Sequence, residues 1–129
     1  VQRAIAKLIT AAGTSIKSQI STVSKEIAKA LAKAKKKSQK KKYEKHHIVA
    51  KSATAAGPSR AILKKHGIGI NSNTNLVSIK YNLHRHLHTK SYYTSVNNLL
   101  KKVQGSKKKV LQALTSIKSI LLAASMAAP

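Results

Sequence analysis

Residues 82–88 read Asn-Leu-His-Arg-His-Leu-His, and residues 44–49 read Glu-Lys-His-His-Ile-Val. Together these two stretches hold five of the chain's six histidines. Apolar spacing predicts a helix from Asn82 or Leu83 to about Val103. On such a helix His84 and His88 lie one turn apart on one face, about 6 Å apart at Cβ, near enough to share one metal ion. His86, two residues from each, points elsewhere, toward solvent or a phosphate. The run from His46 to Ala50 reads as a strand or extended segment, on which neighbouring side chains face opposite ways. His46 and His47 can therefore take different tasks, one ring on a metal and the other toward a substrate.

Each element alone is ordinary. An HxxxH pair on a basic helix is more often surface decoration than a ligand pair, and an isolated Asn75 is a turn residue. The joint order is specific: His-His on one strand, Asn75 opening a second strand over Leu76 to Ile79, then HxxxH.

Outward from this centre, Gly57-Pro58 opens a short helix, Ser59 to His66, with Gly67 as its stop. His66 sits at that helix C-terminus, where partial positive charge is favoured, and reads as structural. Ile68 and Ile70 lead into a turn-rich stretch, Asn71 to Asn75. Gly105-Ser106 breaks the long helix, and Lys107 to Ala124 forms a last amphipathic one with Val110, Leu111, Leu114, Ile117 and Leu121 on one side. Residues 1–34 carry Ile5, Leu8, Ile9, Ile16, Ile20, Val23, Ile27 and Leu31 at helical spacing, with a break near Gly13. Seven of the ten residues Lys33–Lys42 are lysine, which reads as a solvated linker or fraying helix end. The composition thus divides into residues 1–42, a basic amphipathic helical region with its Lys-rich linker, and residues 43–129. The predicted fold class is α+β, helix-rich, with one small hairpin.

The 129 residues include 26 Lys+Arg against 2 Asp+Glu, a formal net charge of +24, and no Cys. The only carboxylates are Glu26 and Glu44, so paired-acid glycosidases, aspartic proteases and carboxylate-built two-metal sites are excluded. A Ser-His-Asp triad lacks its acid, and a thiolate zinc site or cysteine nucleophile lacks its sulfur. Chemistry in this chain falls to histidine. A surface this basic binds nucleic acid through counterion release and is attracted to anionic membranes. No window reaches 18 uncharged apolar residues, so no transmembrane helix is read. The start at Val1 rather than Met reads as a fragment or processed product.

The order Glu44-Lys45-His46-His47-Ile48-Val49, then Asn75, His84 and His88, resembles the His-Asn-His (HNH) endonuclease motif, a ββα hairpin plus helix around one metal. More narrowly, "HHIVAK", "GIGINSNTNLVSI" and "HRHLHTKSYYTSVN" resemble the AHH subfamily of nuclease toxins, found at the C-termini of bacterial polymorphic toxins. The likeness covers roughly residues 43–103. Lys45 stands where the subfamily name places Ala, and Leu76 where Gly is common.

The resemblance implies a metal-dependent endonuclease, cutting DNA more readily than RNA, with residues 43–129 as the nuclease domain. By resemblance, His46, His84 and His88 are the metal ligands and His47 is the general base. Asn75 bridges the hairpin and orients His47, and Glu44 braces the hairpin through a basic neighbour, Arg60 or Arg85. Three neutral imidazoles favour zinc or nickel on ligand softness, with magnesium and manganese as alternatives. Lys45, Lys51, Arg85, His86 and Lys90 are expected on nucleic acid. Core packing is the default for Tyr92 and Tyr93, with Tyr92 nearer the site face. A toxin implies delivery as part of a larger polypeptide, action in the target-cell cytoplasm, and an acidic immunity protein complementary to +24. Two other classes stand beside it: a non-catalytic basic nucleic-acid-binding protein, and membrane contact through the amphipathic segment 1–34.

Overall fold

The computed structural model describes residues 16–35 and 42–129. Strands β1 (Tyr43–His47) and β2 (Leu76–Lys80) pair antiparallel in a two-stranded sheet, with Tyr43 opposite Lys80 and His47 opposite Leu76. Alternation sets the faces: Val77 and Ile79 on β2 and His46 on β1 are buried, whereas Ser78 and Lys45 are exposed.

β1 starts earlier than the sequence predicts and ends at His47 rather than continuing to Ala50. Asn75 is the reason. Val49 N–H donates to Asn75 Oδ1 at 2.8 Å, and Asn75 Nδ2 donates to the Val49 and Ile70 carbonyls at 3.1 and 2.8 Å. A carboxamide thus replaces ladder partners and bends the chain away. Ile48, Val49 and Ala50 are buried without belonging to a strand.

Five α-helices complete the described chain: α1 (Lys17–Ala34), α2 (Gly57–Lys65), α3 (Tyr81–His84), α4 (Lys90–Val103) and α5 (Lys107–Ala127), with a 3-10 turn over Thr54–Ala56. α2 lies near its expected position, with Pro58 in its first turn and Gly67 at φ +68° beyond its end, a conformation that glycine adopts without steric cost. His66 closes α2, and its Nε2 donates to the Gln104 carbonyl at 2.6 Å, tying α2 to the α4–α5 connection.

The expected single helix over residues 82–103 is two. α3 stops at His84, and Thr89 restarts the helix with an extended backbone (φ −127°, ψ 149°) while its hydroxyl accepts from Tyr92 N–H at 3.1 Å. Threonine is a favoured N-cap because its side-chain oxygen satisfies a backbone donor that has no intrahelical partner. Apolar periodicity through Leu83 and Leu87 runs across this gap and conceals it.

Ile20, Val23 and Ile27 of α1 are buried in one core with Leu99 and Leu100 of α4, Leu114 and Ile117 of α5, and Val77 and Ile79 of β2. The division at residue 42 is therefore a change of charge and composition; α1 contributes to the same core as residues 43–129. Ile5, Leu8, Ile9 and residues 36–41 of the lysine run lie outside the described residues. α5 extends past its expected end at Ala124. By length and composition α5, with Lys118 within it, is apolar enough to cross a bilayer, and half of its apolar 18-residue window is buried within the protein. Ser125 and Ala128 clasp β2, accepting from Lys80 N–H and Nζ at 2.9 and 2.7 Å.

Candidate active site

The end of β1, the loop after it and the α3–α4 connection enclose a pocket of about 290 Å³. It is lined by Lys45, His46, His47, Ala50, Lys51, Ser52, Ala53, His84, His88 and Tyr93. The imidazole centroids of His46 lie 5.1 Å from His84 and 6.2 Å from His88, and those of His84 and His88 are 4.7 Å apart. His84 Nε2 and His88 Nε2 approach to 3.1 Å. This approach does not come from a helix face, as the spacing suggested. His84 ends α3 and His88 lies in the connection, which folds back through bonds from His86 and Leu87 N–H to the Leu83 and His84 carbonyls.

Each of the three rings has one nitrogen against a protein oxygen. His84 Nδ1 meets Glu44 Oε1 at 3.0 Å. A carboxylate only accepts, so Nδ1 carries the hydrogen and Nε2 presents its lone pair to His88. Glu44 thus braces a histidine rather than Arg60 or Arg85. Arg60 instead donates to the Ala50 and Ala53 carbonyls at 3.0 and 2.6 Å, and the Arg85 guanidinium stacks over the Tyr81 ring at 5.6 Å. His88 Nδ1 meets the Tyr93 hydroxyl at 3.0 Å. The result is a continuous chain, Glu44–His84–His88–Tyr93. Burial, then the neighbouring His84, lowers the His88 pKa, and Glu44 opposes that shift.

His46 is 1% exposed, and its Nε2 bonds the hydroxyl of the equally buried Tyr92 at 3.1 Å. Its Nδ1 is buried without a hydrogen-bond partner. Burial, followed by His84, His88 and His47, lowers its pKa to about 3, so the ring is neutral at pH 7. Burial also holds Tyr92 protonated by raising its pKa, and it raises that of Tyr93. Tyr93, not Tyr92, is the tyrosine that lines the pocket.

His47, on the outer side of β1, is partly exposed. Its Nε2 donates to Asn71 Oδ1 at 2.8 Å, which leaves Nδ1 as the ring's proton acceptor. Asn75, expected to orient this ring, is fully buried and holds the backbone of Val49 and Ile70 instead; Asn71 touches the ring. Ser52 and Ala53 of the pocket lining, and Asn71, which bonds His47 from outside that lining, are residues that sequence reasoning did not single out, and Tyr93, expected in the core, lines the pocket. The repeated asparagines at 71, 73 and 75 were the available signal, but spacing does not say which one reaches a histidine.

Of the five residues expected on nucleic acid, Lys45 and Lys51 line the pocket. His86 faces a separate hollow with Glu26, Lys29 and Lys33, and Lys90 borders another with Thr22, Thr94 and Asn98. Arg85 does not line the pocket either. A larger concavity, about 370 Å³, shares Lys51 with the pocket and is lined by none of the histidines.

Among the described residues no group of three or more His, Cys, Asp or Glu side chains is placed, as it stands, to hold a metal ion. The nitrogens of His84 and His88 already converge, whereas the bonded Nε2 of His46 faces Tyr92. What the arrangement offers is three imidazoles around a basic, partly open pocket, with a fourth imidazole at its rim.

Residues 15–123 match the AHH family, described as a nuclease family of the HNH/ENDO VII superfamily with conserved AHH. No curated protein and no solved structure gives a significant match. Here the motif reads Lys45-His46-His47. The matched span runs from the start of α1 well into α5, and it includes every residue of the histidine pocket. By that match the chain belongs to the AHH family of HNH/ENDO VII superfamily nucleases.

Proposed function

We propose that this protein is a metal-dependent endonuclease that hydrolyses phosphodiester bonds, DNA in preference to RNA, and serves as the toxin domain of a bacterial competition system. The orphaned Nδ1 of buried His46, in a ring whose centroid lies 5.1 and 6.2 Å from those of His84 and His88, is the observation that supports the metal dependence. Two nitrogens on one tetrahedral zinc ion lie about 3.3 Å apart, close to the 3.1 Å found between His84 Nε2 and His88 Nε2. Metal-binding histidines usually donate their other ring N–H to an oxygen. Tyr92, Glu44 and Tyr93 stand ready for His46, His84 and His88 respectively. These oxygens behind the rings, and the His84–His88 spacing, support a divalent cation with His46, His84 and His88 as its protein ligands. Three imidazoles favour zinc or nickel over magnesium or manganese. When bound, such an ion supplies Lewis-acid polarisation of the phosphate and charge for the departing 3′ oxygen.

The chain's own residues do the rest. Lys45 and Lys51 hold the phosphodiester in the pocket by charge. His47 Nδ1 takes a proton from water, and the resulting hydroxide attacks phosphorus as the 3′ oxygen leaves. Asn71 fixes the His47 ring by accepting from Nε2–H. With a cation bound, the His88 ring proton would move to Nδ1, where the Tyr93 hydroxyl lies within hydrogen-bond reach to accept it, so that Nε2 could ligate. Loop 50–53 is held by the Arg60 guanidinium.

The toxin role is supported by resemblance to nuclease toxins and by the +24 charge, which suits polyanion capture and an acidic protective partner. Delivery would be as the C-terminal part of a larger polypeptide, with action in the target-cell cytoplasm. The decisive experiment incubates plasmid with protein and divalent metals, with and without chelator, comparing the parent with His47→Ala. Metal-dependent nicking is expected from the parent. In the variant it should fall by about 10²–10⁴-fold, with metal affinity and melting temperature unchanged. Retarded but uncut plasmid with every metal would instead identify a non-catalytic binding protein.

A further inference from the structure

We propose that the concavity adjoining the histidine pocket is a subsite for one unpaired nucleotide flanking the scissile phosphodiester, an inference that rests on the nuclease reading. The concavity, about 370 Å³, lies between α2 and the turn that follows it. That volume is within the range of about 300–1,000 Å³ usual for small-molecule sites. Leu63, Ile68 and Ile70 give it an aliphatic floor, and Lys51 and Lys64 are exposed at its edge.

Three features tie it to the site. Lys51 lines both hollows, so one basic side chain is shared by the pocket and its neighbour. Arg60 lines the concavity while its guanidinium holds the Ala50 and Ala53 carbonyls, which belong to the pocket wall. Gly67 and Gly69 form the remaining wall without side chains, and nothing stands within 4 Å of where a Gly67 Cβ would project. The surface therefore pairs an apolar face with two cations and a bare backbone edge. A nucleotide has the complementary parts: a flat, weakly polar base and an anionic phosphate. A base lying on Leu63, Ile68 and Ile70 is withdrawn from its own stack and partner, so the ligand is single-stranded or locally opened at that position.

The test measures binding without turnover. Fluorescence anisotropy of a labelled single-stranded DNA of about 12 nucleotides is followed in excess chelator for the parent, Lys64→Glu and Lys65→Glu. Lys65 is the exposed neighbour on α2 that does not line the concavity, and its substitution changes net charge equally. Lys64→Glu should raise Kd about tenfold or more, while Lys65→Glu should raise it less than about threefold. Lys64→Gln, the milder variant, should reduce the salt slope of binding by about one. Equal losses in the two glutamate variants would overturn the subsite, since only net charge would then matter.

A second arm uses metal-loaded protein on bis(p-nitrophenyl) phosphate, a diester with no second phosphate and no nucleoside to engage Lys64. Lys64→Glu should hydrolyse it as the parent does while losing efficiency on the oligonucleotide. Equal loss on both substrates would also overturn the subsite. A parent inactive on both substrates would refute the nuclease reading instead, and the anisotropy result would still decide the subsite.

Discussion

Leu114 on α5 and His46 on β1 are both withdrawn from water, yet what holds each in place differs. In the scaffold of α1, α4 and α5, aliphatic side chains are buried together, and any well-shaped apolar neighbour would serve. In and beside the pocket the polar side chains each have a named partner: Tyr92 for buried His46, Glu44 for His84, Tyr93 for His88, the Val49 backbone for buried Asn75. His46 Nδ1 is the exception, the one ring nitrogen of this trio with no hydrogen-bond partner. Burying an unpaired polar atom costs stability, and among the described side chains His46 Nδ1 shares that cost only with Ser72 Oγ. The scaffold confers stability; the pocket draws on it.

That contrast can be broken deliberately. Leu114→Ala should have the largest effect on folding, about 2–5 kcal/mol by denaturant titration, because the side chain is fully buried in the three-helix core. Metal affinity of the folded variant should be that of the parent; a matching loss of affinity would show that scaffold and pocket are one cooperative unit.

Asn75→Ala strips partners from Val49 N–H and from two carbonyls. A loss of about 3 kcal/mol is expected from the orphaned groups, together with a marked loss of cleavage, because β1 carries both His46 and His47 out to this bend. Stability lost with cleavage retained would show that the bend does not position the histidines.

Tyr93→Phe removes only the hydroxyl at His88 Nδ1. Thermal melting should barely move, since Tyr93 is partly exposed, while metal affinity measured by calorimetry should fall by about 10–100-fold. Unchanged affinity would remove Tyr93 from the ligand's support.

Much of the molecule could be read in advance. The apolar stripes of α1 and α5 announce themselves at helical spacing, and Gly57-Pro58 and Gly67 frame α2 because proline and glycine carry their backbone preferences wherever they occur. The His-His, Asn, HxxxH order brought together the residues that the pocket does gather, His46, His47, His84 and His88. Contacts made across the chain were harder to see. Thr89 interrupts a pattern whose apolar residues continue unbroken, so the helix break is visible only as a cap. Glu44 was assigned an arginine partner because opposite charges attract from any direction, yet His84 is the basic group folded against it. The lysines and arginine given to nucleic acid share one charge, but only two of them reach the pocket.

The sequence by itself determined which side chains can do chemistry here, since a chain with two carboxylates, no thiol and six histidines leaves few other options. It also determined the periodic faces that drive burial, because side-chain direction follows the backbone repeat. Tertiary structure alone decided which nitrogen of each ring is bonded and which faces the pocket, that Asn71 rather than Asn75 holds His47, and that Lys51 joins two hollows. Hydrogen bonds act over about 3 Å and within narrow angles, so pairings such as His47–Asn71, His84–Glu44 and His46–Tyr92 exist only once residues 24, 40 and 46 positions apart have been packed side by side.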